Sequence, residues 1–353
     1  MAYSTISKPG LHFNTKLYTG NGSTNAITGV GFQPDWVWIK NRVATSSHNV
    51  FDAVRGATKT IFTNTADPEA TEASRLSAFN SDGFTINGDT SNQTNANGSA
   101  FVSWNWKAGG GQGTSNTDGS INTTYTSVNT TAGFSISLYT GTGSNATVGH
   151  GLGAVPKAII LKELNPSTTR SWRVYHEGMR NSKVMYLDQT SSQATDTTAF
   201  NSTSPTTSVF SLGTSVGVNE SGKNFIAYCF AEKQGYSKFG KYQGNGNADG
   251  TFVYCGFKPA FTLIKRQTAT DNWAIHDSER PDRDGNPHDA VLRSNLSDAE
   301  YGGSSGLDFL SNGFKARQND GEFNNSSSTY VYLAFAEEPL VANVGSGVPA
   351  TAV

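Results

Sequence analysis

The sequence is poor in charge, and the little charge it has is balanced. Charged residues make up 15% of the 353 residues, and 26 basic against 28 acidic side chains leave a formal net charge of −2. Nucleic-acid binders of the usual kind carry a clear basic excess, so the composition argues against that class and gives no attraction to anionic membranes. No apolar run is long enough to span a bilayer. We therefore predict no nucleic-acid partner and no membrane insertion.

Cysteine is almost absent, which excludes a fold stapled by disulfides. Cys229 and Cys255 are the two cysteines, and both lie in apolar stretches that resemble strands. This placement favours two buried, reduced thiols, with a disulfide as the alternative. The first residues also lack a basic segment followed by an apolar one, so we expect no secretory signal. Synthesis in a reducing cytoplasm is the simplest expectation.

Long stretches of Ala, Leu, Glu and Lys are missing, which excludes a helical bundle. Thr, Ser, Asn and Gly dominate instead, and aromatic residues reach 11%. This composition is typical of short strands joined by tight turns. The best candidate for a helical turn is 67–73, with Asp67 as N-cap and Pro68 in the first position.

One unit of about 100 residues occurs three times. Each copy opens with a strand that ends in a Gly-x-Gly turn, continues with a proline and an apolar run, and closes with a dense aromatic strand. In every copy a lysine stands six residues after the proline: Pro34 and Lys40, Pro156 and Lys162, Pro259 and Lys265. Units of this length are too long for the coils of a solenoid. They are long enough to bury a core each.

We predict an all-β chain of three tandem antiparallel β-sandwich domains of the jelly-roll or lectin-like kind. Continuous apolar runs such as 158–161 are expected to be strands buried on both faces. The Gly/Ser/Thr/Asn-rich linker predicts a hinge after the first domain, whereas the second and third domains should be rigidly coupled. The divisions are an N-terminal arm 1–10, repeat 1 at 11–108, a linker 109–130, repeat 2 at 131–234, repeat 3 at 236–340 and a C-terminal tail 341–353.

Two recurring residue types are candidates for contact with a ligand or partner. The lysines pair with a nearby acid or blunt a sheet edge in the simpler interpretation, and form a repeated ligand contact in the other. The tryptophans alternate along strands, so they either pack in the core or form a platform on which sugars stack. The candidate contact residues are Lys40, Lys162, Lys265, Trp104, Trp106, Trp172 and Trp273.

Other motifs that suggest chemistry are weak. The G-x-S-x-G pattern at 213–217 lacks the following helix that a hydrolase nucleophile needs. The Gly-x-Gly turns fit hairpins better than phosphate loops. Clustered oxygens around Asp282 and Asp284 indicate either a calcium site or a solvated turn. His276 stands where the other copies have aromatic residues, so we expect its ring to pack. We predict no catalytic residue, metal or cofactor, and therefore not an enzyme.

The repeated unit resembles a tail-fibre-like domain in virion proteins of tailed bacteriophages, frequent in phages of marine bacteria. The likeness is carried by the Tyr-Thr-Gly-x-Gly opening, best seen at 18–22 and 139–143, and by the apolar strand that ends in lysine. The resemblance implies a virion protein of the tail-fibre or adhesin type. It also implies contact with other virion proteins, a homotrimer, and attachment to a host cell-surface glycan without catalysis.

Two alternative functions remain open at this stage. The first is a capsid decoration protein or tail connector with no receptor role. The second is an enzyme that degrades capsular polysaccharide, for which the paired carboxylates of a glycosidase need only meet in space. Acidic positions do not recur across the three copies, and the pattern of a long β-helix is missing, which lowers the weight of the enzyme.

Overall fold

The computed structural model describes residues 4–89, 91–165, 167–280, 285–302 and 306–340. In these residues the protein is almost entirely β, and its 26 strands pair in antiparallel sheets. Helix is limited to a 3-10 turn at Pro9–Leu11 and one α-helical turn, α1, at Val216–Asn219. The predicted all-β class is confirmed.

Repeat 1 is built from two sheets. Its strands are β1 Phe13–Thr19, β2 Asn25–Thr28, β3 Trp36–Asn41, β4 Asn49–Asp52, β5 Lys59–Phe62, β6 Ala70–Thr71, β7 Leu76–Asn80, β8 Gly83–Ile86 and β9 Ala100–Trp106. The larger sheet has the order β1-β9-β3-β4-β5-β6, and the smaller sheet has the order β2-β8-β7. The closing strand β9 thus lies between the opening strand and the lysine strand.

Repeat 2 follows the same plan with two differences. Its strands are β10 Tyr125–Asn129, β11 Phe134–Thr140, β12 Ala146–Gly149, β13 Pro156–Glu163, β14 Arg173–His176, β15 Lys183–Val184, β16 Ala194–Thr195, β17 Val209–Leu212 and β18 Asn224–Ala231. The larger sheet is β10-β11-β18-β13-β14, and β12-β17 and β15-β16 form two-stranded sheets. The additional strand β10 comes from the linker region, and the smaller sheet has one strand fewer than in repeat 1.

Repeat 3 completes the series. Its strands are β19 Ser237–Gln243, β20 Phe252–Tyr254, β21 Phe257–Arg266, β22 Trp273–Asp277, β23 Leu292–Arg293, β24 Leu307–Leu310, β25 Gly313–Ala316 and β26 Thr329–Pro339. The larger sheet is β19-β26-β21-β22-β23, and the smaller is β20-β25-β24. In all three repeats the lysine strand is buried on both faces, as the continuous apolar runs predicted.

The three larger sheets share one hydrophobic core. A single cluster of buried side chains contains residues from the inner faces of all three sheets. Strand register places Trp106, Phe230 and Phe335 at equivalent positions, and the Phe335 ring lies 5.6 Å from Trp106 and 5.9 Å from Phe230. Each smaller sheet covers the outer face of its own larger sheet and closes a separate core. The repeats are therefore sandwiches joined around a common centre.

The predicted hinge after repeat 1 is wrong, because the linker is built into the structure. Residues 125–129 of that region form β10, which pairs along its length with β11. The Asp35 carboxylate accepts hydrogen bonds from the amides of Ala108 and Gly110 at 2.7 and 2.9 Å. The Gln112 side chain donates to the Val54 carbonyl. Glycine-rich composition indicated flexibility, but these bonds and the shared core fix the segment.

Two local predictions are also corrected. Residues 67–73 do not form a helical turn: an irregular segment leads into the short strand β6. The Gly-x-Gly turns are not hairpins, because β1 pairs with β9 whereas β2 pairs with β8. Each such turn instead carries the chain from the larger sheet of a sandwich to the smaller one.

Candidate functional site

The three recurring lysines lie at the contacts between repeats. Their side chains are fully buried. The Lys162 ammonium donates to the carbonyls of Arg170 and, across the interface with repeat 1, Ala66, at 2.8 and 3.1 Å. Lys265 makes the equivalent pair of bonds to Asp271 and to Thr190 of repeat 2, at 2.7 and 2.9 Å. Lysine thus ties one repeat to the carbonyl groups of the preceding repeat.

Lys40 occupies the same position in repeat 1 but bonds within its own loop. Its ammonium donates to the carbonyls of Asn41 and Ala44 at 2.7 and 3.2 Å. Burial lowers the pKa of all three lysines, Lys40, Lys162 and Lys265, to about 8. Each charge is therefore held at a cost that its carbonyl partners offset.

The tryptophans make a second set of equivalent contacts. The Trp172 indole N–H donates to the Phe62 carbonyl of repeat 1, and the Trp273 indole N–H donates to the Tyr186 carbonyl of repeat 2, both at 2.8 Å. In both cases the acceptor stands four residues before the carbonyl that binds the lysine. The remaining candidate tryptophans, Trp104 and Trp106, pack in the shared core.

None of the seven candidate residues is available to an external ligand in this structure. The side chains of Lys40, Lys162, Lys265, Trp104, Trp106, Trp172 and Trp273 are at most 1% exposed. The expectation of an exposed lysine contact or sugar-stacking platform at these positions is corrected accordingly. The residues recur because each copy must bind its neighbours, and a contact between copies produces the same pattern in sequence as a repeated ligand contact.

The contacts close into a ring. Backbone amides of Arg170, Asp271 and Ser46 donate across the interfaces to the carbonyls of Ala66, Thr190 and Ser297, at 3.0, 2.8 and 2.8 Å. We name the contacts interface 1–2, interface 2–3 and interface 3–1 after the repeats they join. The third interface returns the end of the chain to its beginning, so the three repeats surround a pseudo-threefold axis within one polypeptide.

Buried ion pairs reinforce two of the interfaces, and sequence reasoning missed them. In repeat 1, Arg55 binds Asp52 at 2.5 Å and Glu69 at 3.2 Å. The Tyr228 hydroxyl of repeat 2 donates to the same Asp52 carboxylate at 2.7 Å. In sequence the signal was the Asp-x-x-Arg pattern, which occurs at 52–55 and again at 277–280.

Repeat 3 forms the same network toward repeat 1. Arg280 binds Asp277 at 2.6 Å and Glu300 at 2.7 Å. The Trp104 indole of repeat 1 donates to Asp277 at 2.8 Å, at the strand position where repeat 2 has Tyr228. In the described part of the chain, the clustered ionisable groups around Arg55 and Arg280 therefore stabilise the contacts between repeats, and their partners are other side chains of the protein.

A buried asparagine clamps each Gly-x-Gly turn, and this was also missed. Its side-chain oxygen accepts a hydrogen bond from the backbone amide of the middle turn residue, and its backbone carbonyl accepts one from the amide of the second glycine. A tyrosine hydroxyl donates to the carbonyl of the residue just before the asparagine. The asparagine always stands six residues before the first aromatic residue of the closing strand. The three clamps are Asn95 with Tyr18, Asn219 with Tyr139, and Asn324 with Tyr242.

The clamp explains why the turn starts with glycine. A Cβ atom on Gly20 would lie 2.2 Å from the Ala96 carbonyl oxygen, and the same clash occurs at Gly141 and Gly244. The amides of the three turn residues donate to groups of the protein itself, so they are not free to bind a phosphate as the amides of a phosphate loop do.

The remaining sequence motifs are accounted for as follows. A strand precedes the G-x-S-x-G segment and the single turn α1 begins within it, contrary to the expected turn. The Ser215 hydroxyl has Asp196 at 3.5 Å as its side-chain partner. The His276 ring is buried and meets Phe323 edge to face, as expected. Both cysteines are free and buried, which confirms reduced thiols. Asp282 and Asp284 lie outside the described residues. Elsewhere in the described ranges no His, Cys, Asp and Glu side chains cluster as a metal site.

One surface departs from the pseudo-threefold pattern. On the smaller sheet of repeat 3, Phe252 and Tyr254 stand two residues apart on edge strand β20, with 43% and 58% of their surfaces exposed. A depression of about 380 Å³ adjoins Tyr254 and is lined also by Glu232, Gln234 and Lys238. We name this region the β20 face. It is the exposed aromatic pair of the described chain and the best candidate for contact with another molecule.

The comparisons with known proteins place the chain in a family without assigning it an activity. No curated protein matches the sequence. Within the described residues no helix is both long and apolar enough to cross a membrane. One family model matches residues 8–339, from the start of repeat 1 to the end of repeat 3, so that the whole ring corresponds to a single unit of the family. The chain therefore belongs to the DUF7483 family, a domain of unknown function.

Proposed function

We propose that the protein is a structural component of a tailed-bacteriophage particle, of the tail-fibre or adhesin type, which attaches to a host-surface glycan without catalysis. The resemblance of its repeated unit to tail-fibre-like virion domains supplies the class of protein. The observation that carries the proposal is the closed ring of three interlocked sandwiches. A component of a particle works by holding its shape while its exterior makes contacts.

The bonding pattern supports a rigid, outward-acting block. The recurring residues are used on internal contacts. The lysine and the asparagine clamp occur in all three copies, and the lysine and indole bonds between repeats occur in two of them. Elements held at several points by buried hydrogen bonds open rarely and resist proteolysis. The exposed loops are rich in Thr, Ser, Asn and Gly, whose adaptable hydrogen bonding suits a glycan.

We also propose that the protein contacts other virion proteins and assembles as a homotrimer within the virion. Fibres gain from several weak contacts made at once, because avidity multiplies modest affinities. The pseudo-threefold ring already brings three similar sandwiches together within one chain. Light scattering on the purified full-length chain measures whether copies associate further, and a monomer at all concentrations would contradict the homotrimer.

Immunogold electron microscopy tests the proposed function directly. Antibodies raised against the full-length chain are applied to purified particles released from cells that express it. We expect gold at the distal end of the tail. Complete absence of the chain from particles, checked by mass spectrometry of the same preparation, would overturn the proposal.

A capsid decoration or connector protein is the second candidate, and the pseudo-threefold axis favours it. A ring of three similar faces matches the symmetry of a threefold position in a larger assembly, where each sandwich meets an equivalent neighbour. The same micrographs separate the candidates. Gold distributed over the head, or at the junction of head and tail, supports this second function and overturns the adhesin.

A further inference from the structure

The β20 face combines aromatic exposure with neutralised charge. The register of β20 against the middle strand β25 places Phe252 opposite Lys315 and Tyr254 opposite Gly313. Both rings therefore lie on the same face of the smaller sheet as the Lys315 side chain. Lys315 is paired with Asp249. Beside the tyrosine, the depression contains a further ion pair, between Glu232 and Lys238 at 2.8 Å. The face therefore offers two rings and several polar groups with no excess of either charge.

The equivalent faces of the other repeats show that this exposure is not required by the fold. In repeat 1 the positions of Phe252 and Tyr254 are taken by Ala26 and Thr28. These smaller side chains suffice to complete the same sandwich. The two rings of repeat 3 are therefore additions to the scaffold.

In repeat 2 the same face is covered by the protein itself. Thr147 and Gly149 take the two positions, and residues of the segment 116–121 contact both of them. The Ile121 amide donates to the Thr147 carbonyl at 3.0 Å, and the Asn116 side chain fills the space beside Gly149. One of three equivalent faces is thus both aromatic and open.

The chemistry of the face fits a sugar better than a protein. A pyranose ring has an apolar C–H face that stacks on an aromatic side chain and a rim of hydroxyl groups that hydrogen-bond to paired charged groups. Successive same-side positions on a strand are about 6.6–6.8 Å apart, so the two rings offer neighbouring stacking positions. A stable protein interface needs roughly 800 Å² on each partner with a hydrophobic centre, which two rings do not provide.

We propose that the β20 face is a binding site for an uncharged polysaccharide, with Tyr254 and Phe252 as stacking residues and the Glu232–Lys238 depression as the polar subsite beside them. This inference rests on the proposed function, since it names the site through which a glycan-attaching protein would act. It also states the ligand class, because a face whose charges are internally paired gains nothing from an anionic polymer.

Affinity electrophoresis of the full-length chain tests the site. Native gels are cast with dextran, hydroxyethylcellulose or galactomannan as uncharged probes, and with alginate as the anionic probe. We expect retardation by at least one uncharged polymer. The Tyr254→Ala variant should bind it about tenfold more weakly, and Phe252→Ala should show a smaller loss.

Matched variants separate the site from general effects. Tyr301→Ala removes another exposed tyrosine of repeat 3, 46% exposed and outside this face, and should leave retardation unchanged. Circular dichroism melts of every variant check that the fold is kept. Retardation by none of the uncharged polymers, equal retardation of wild type and Tyr254→Ala, or retardation by alginate alone would overturn the proposal.

Two further results complete the test. Self-association of the chain that disappears in Tyr254→Ala, measured by light scattering, would overturn the proposal in favour of docking between copies along edge strand β20. Failure of this site and failure of the proposed function are distinguishable, because particle labelling does not depend on the variant. If gold labels the tails but no uncharged polysaccharide retards the chain, only the proposed binding site is contradicted. If a polysaccharide retards the chain but the chain is absent from particles, only the proposed virion function is contradicted.

Discussion

Interfaces 1–2 and 2–3 solve the same packing problem with different chemistry. In interface 1–2, Asp52 and Arg55 form a buried ion pair that also receives the Tyr228 hydroxyl. In interface 2–3 the positions of that pair are taken by His176 and Met179. The backbone and indole bonds are nevertheless the same in both interfaces.

The difference between the Asp52–Arg55 pair and His176 with Met179 is explained by the strand that faces each pair across its interface. Repeat 3 has Leu333 where repeat 2 has Tyr228, so this position of the facing strand offers no hydrogen-bond donor to the residue at the Asp52 position of repeat 2. A carboxylate there would be buried without its partner, which is costly. His176 instead uses its Nε2 toward the Tyr332 carbonyl at 3.0 Å. The comparison shows that both interfaces keep the bonds that end on backbone carbonyls, whereas the side chains at the ion-pair positions change together with the residue that faces them.

The largest effect is expected from removing the indole at interface 2–3. Trp273→Ala deletes a buried ring and its bond to the Tyr186 carbonyl, and should lower the free energy of unfolding by about 3–5 kcal/mol. Trp273→Phe keeps most of the packing and should lose less than half as much. Urea unfolding followed by circular dichroism measures both, and it should show one transition because the core is shared. Two resolved transitions would contradict a common core.

A somewhat smaller effect is expected at interface 3–1. Arg280→Met removes a fully buried guanidinium and leaves the buried Asp277 carboxylate without its cation, at a cost of about 3 kcal/mol. Adding Asp277→Asn should recover part of the loss, since the amide oxygen still accepts the Trp104 indole. Urea unfolding of the single and double variants measures this coupling. Purely additive losses would mean that the pair acts only by filling space.

The repeats also differ in the separate cores between their smaller and larger sheets. Repeats 1 and 2 have Phe51 and Tyr175 at the position that His276 takes in repeat 3. Neither ring nitrogen of His276 has a hydrogen-bond partner, and burial, with Arg280 and His288 nearby, lowers its pKa to about 3. The unfolded chain therefore binds the extra proton between about pH 6.5 and pH 3, so stability falls as pH falls through that window.

His276→Phe should remove this loss. The variant should be favoured over wild type by about 2.7 kcal/mol more at about pH 4.5 than at about pH 7.5. Urea unfolding at the two pH values gives the difference. A constant difference between the two proteins would show that the histidine is not the group that titrates.

The smallest effect concerns the interface lysines. The pKa of Lys162 is lowered to about 8 by burial, below the ordinary 10.5, so the unfolded chain binds more protons between those values and stability rises with pH across them. From about pH 7.5 to about pH 9.5 the wild type should gain about 1.8 kcal/mol that Lys162→Met lacks. Lys157→Met, on the more exposed neighbour that pairs with Glu177, is the control and should follow the wild type. Equal slopes for Lys162→Met and wild type would contradict the prediction.

Much of the fold was predictable, and the candidate site was not. The repeats, the buried lysine strands and the recurrence of Lys40, Lys162 and Lys265 follow from sequence periodicity. The role of these lysines could not be predicted, because a residue that contacts another copy and a residue that contacts a ligand recur in the same way in a single sequence. Phe252 and Tyr254 escaped notice for the opposite reason: they do not recur, and their exposure depends on how the neighbouring strands pair.

By itself, the sequence determined the all-β class and the threefold repetition and favoured reduced, buried cysteines, since these depend on composition and on patterns within about 100 residues. Only the tertiary structure decided that the repeats close into a ring, that the glycine-rich segment 109–130 is fixed, and that one of three equivalent faces is both aromatic and open. The physical reason is that these properties depend on contacts between distant segments. A carbonyl at Ala66 or Thr190 looks like any other until a lysine from the next repeat is folded against it.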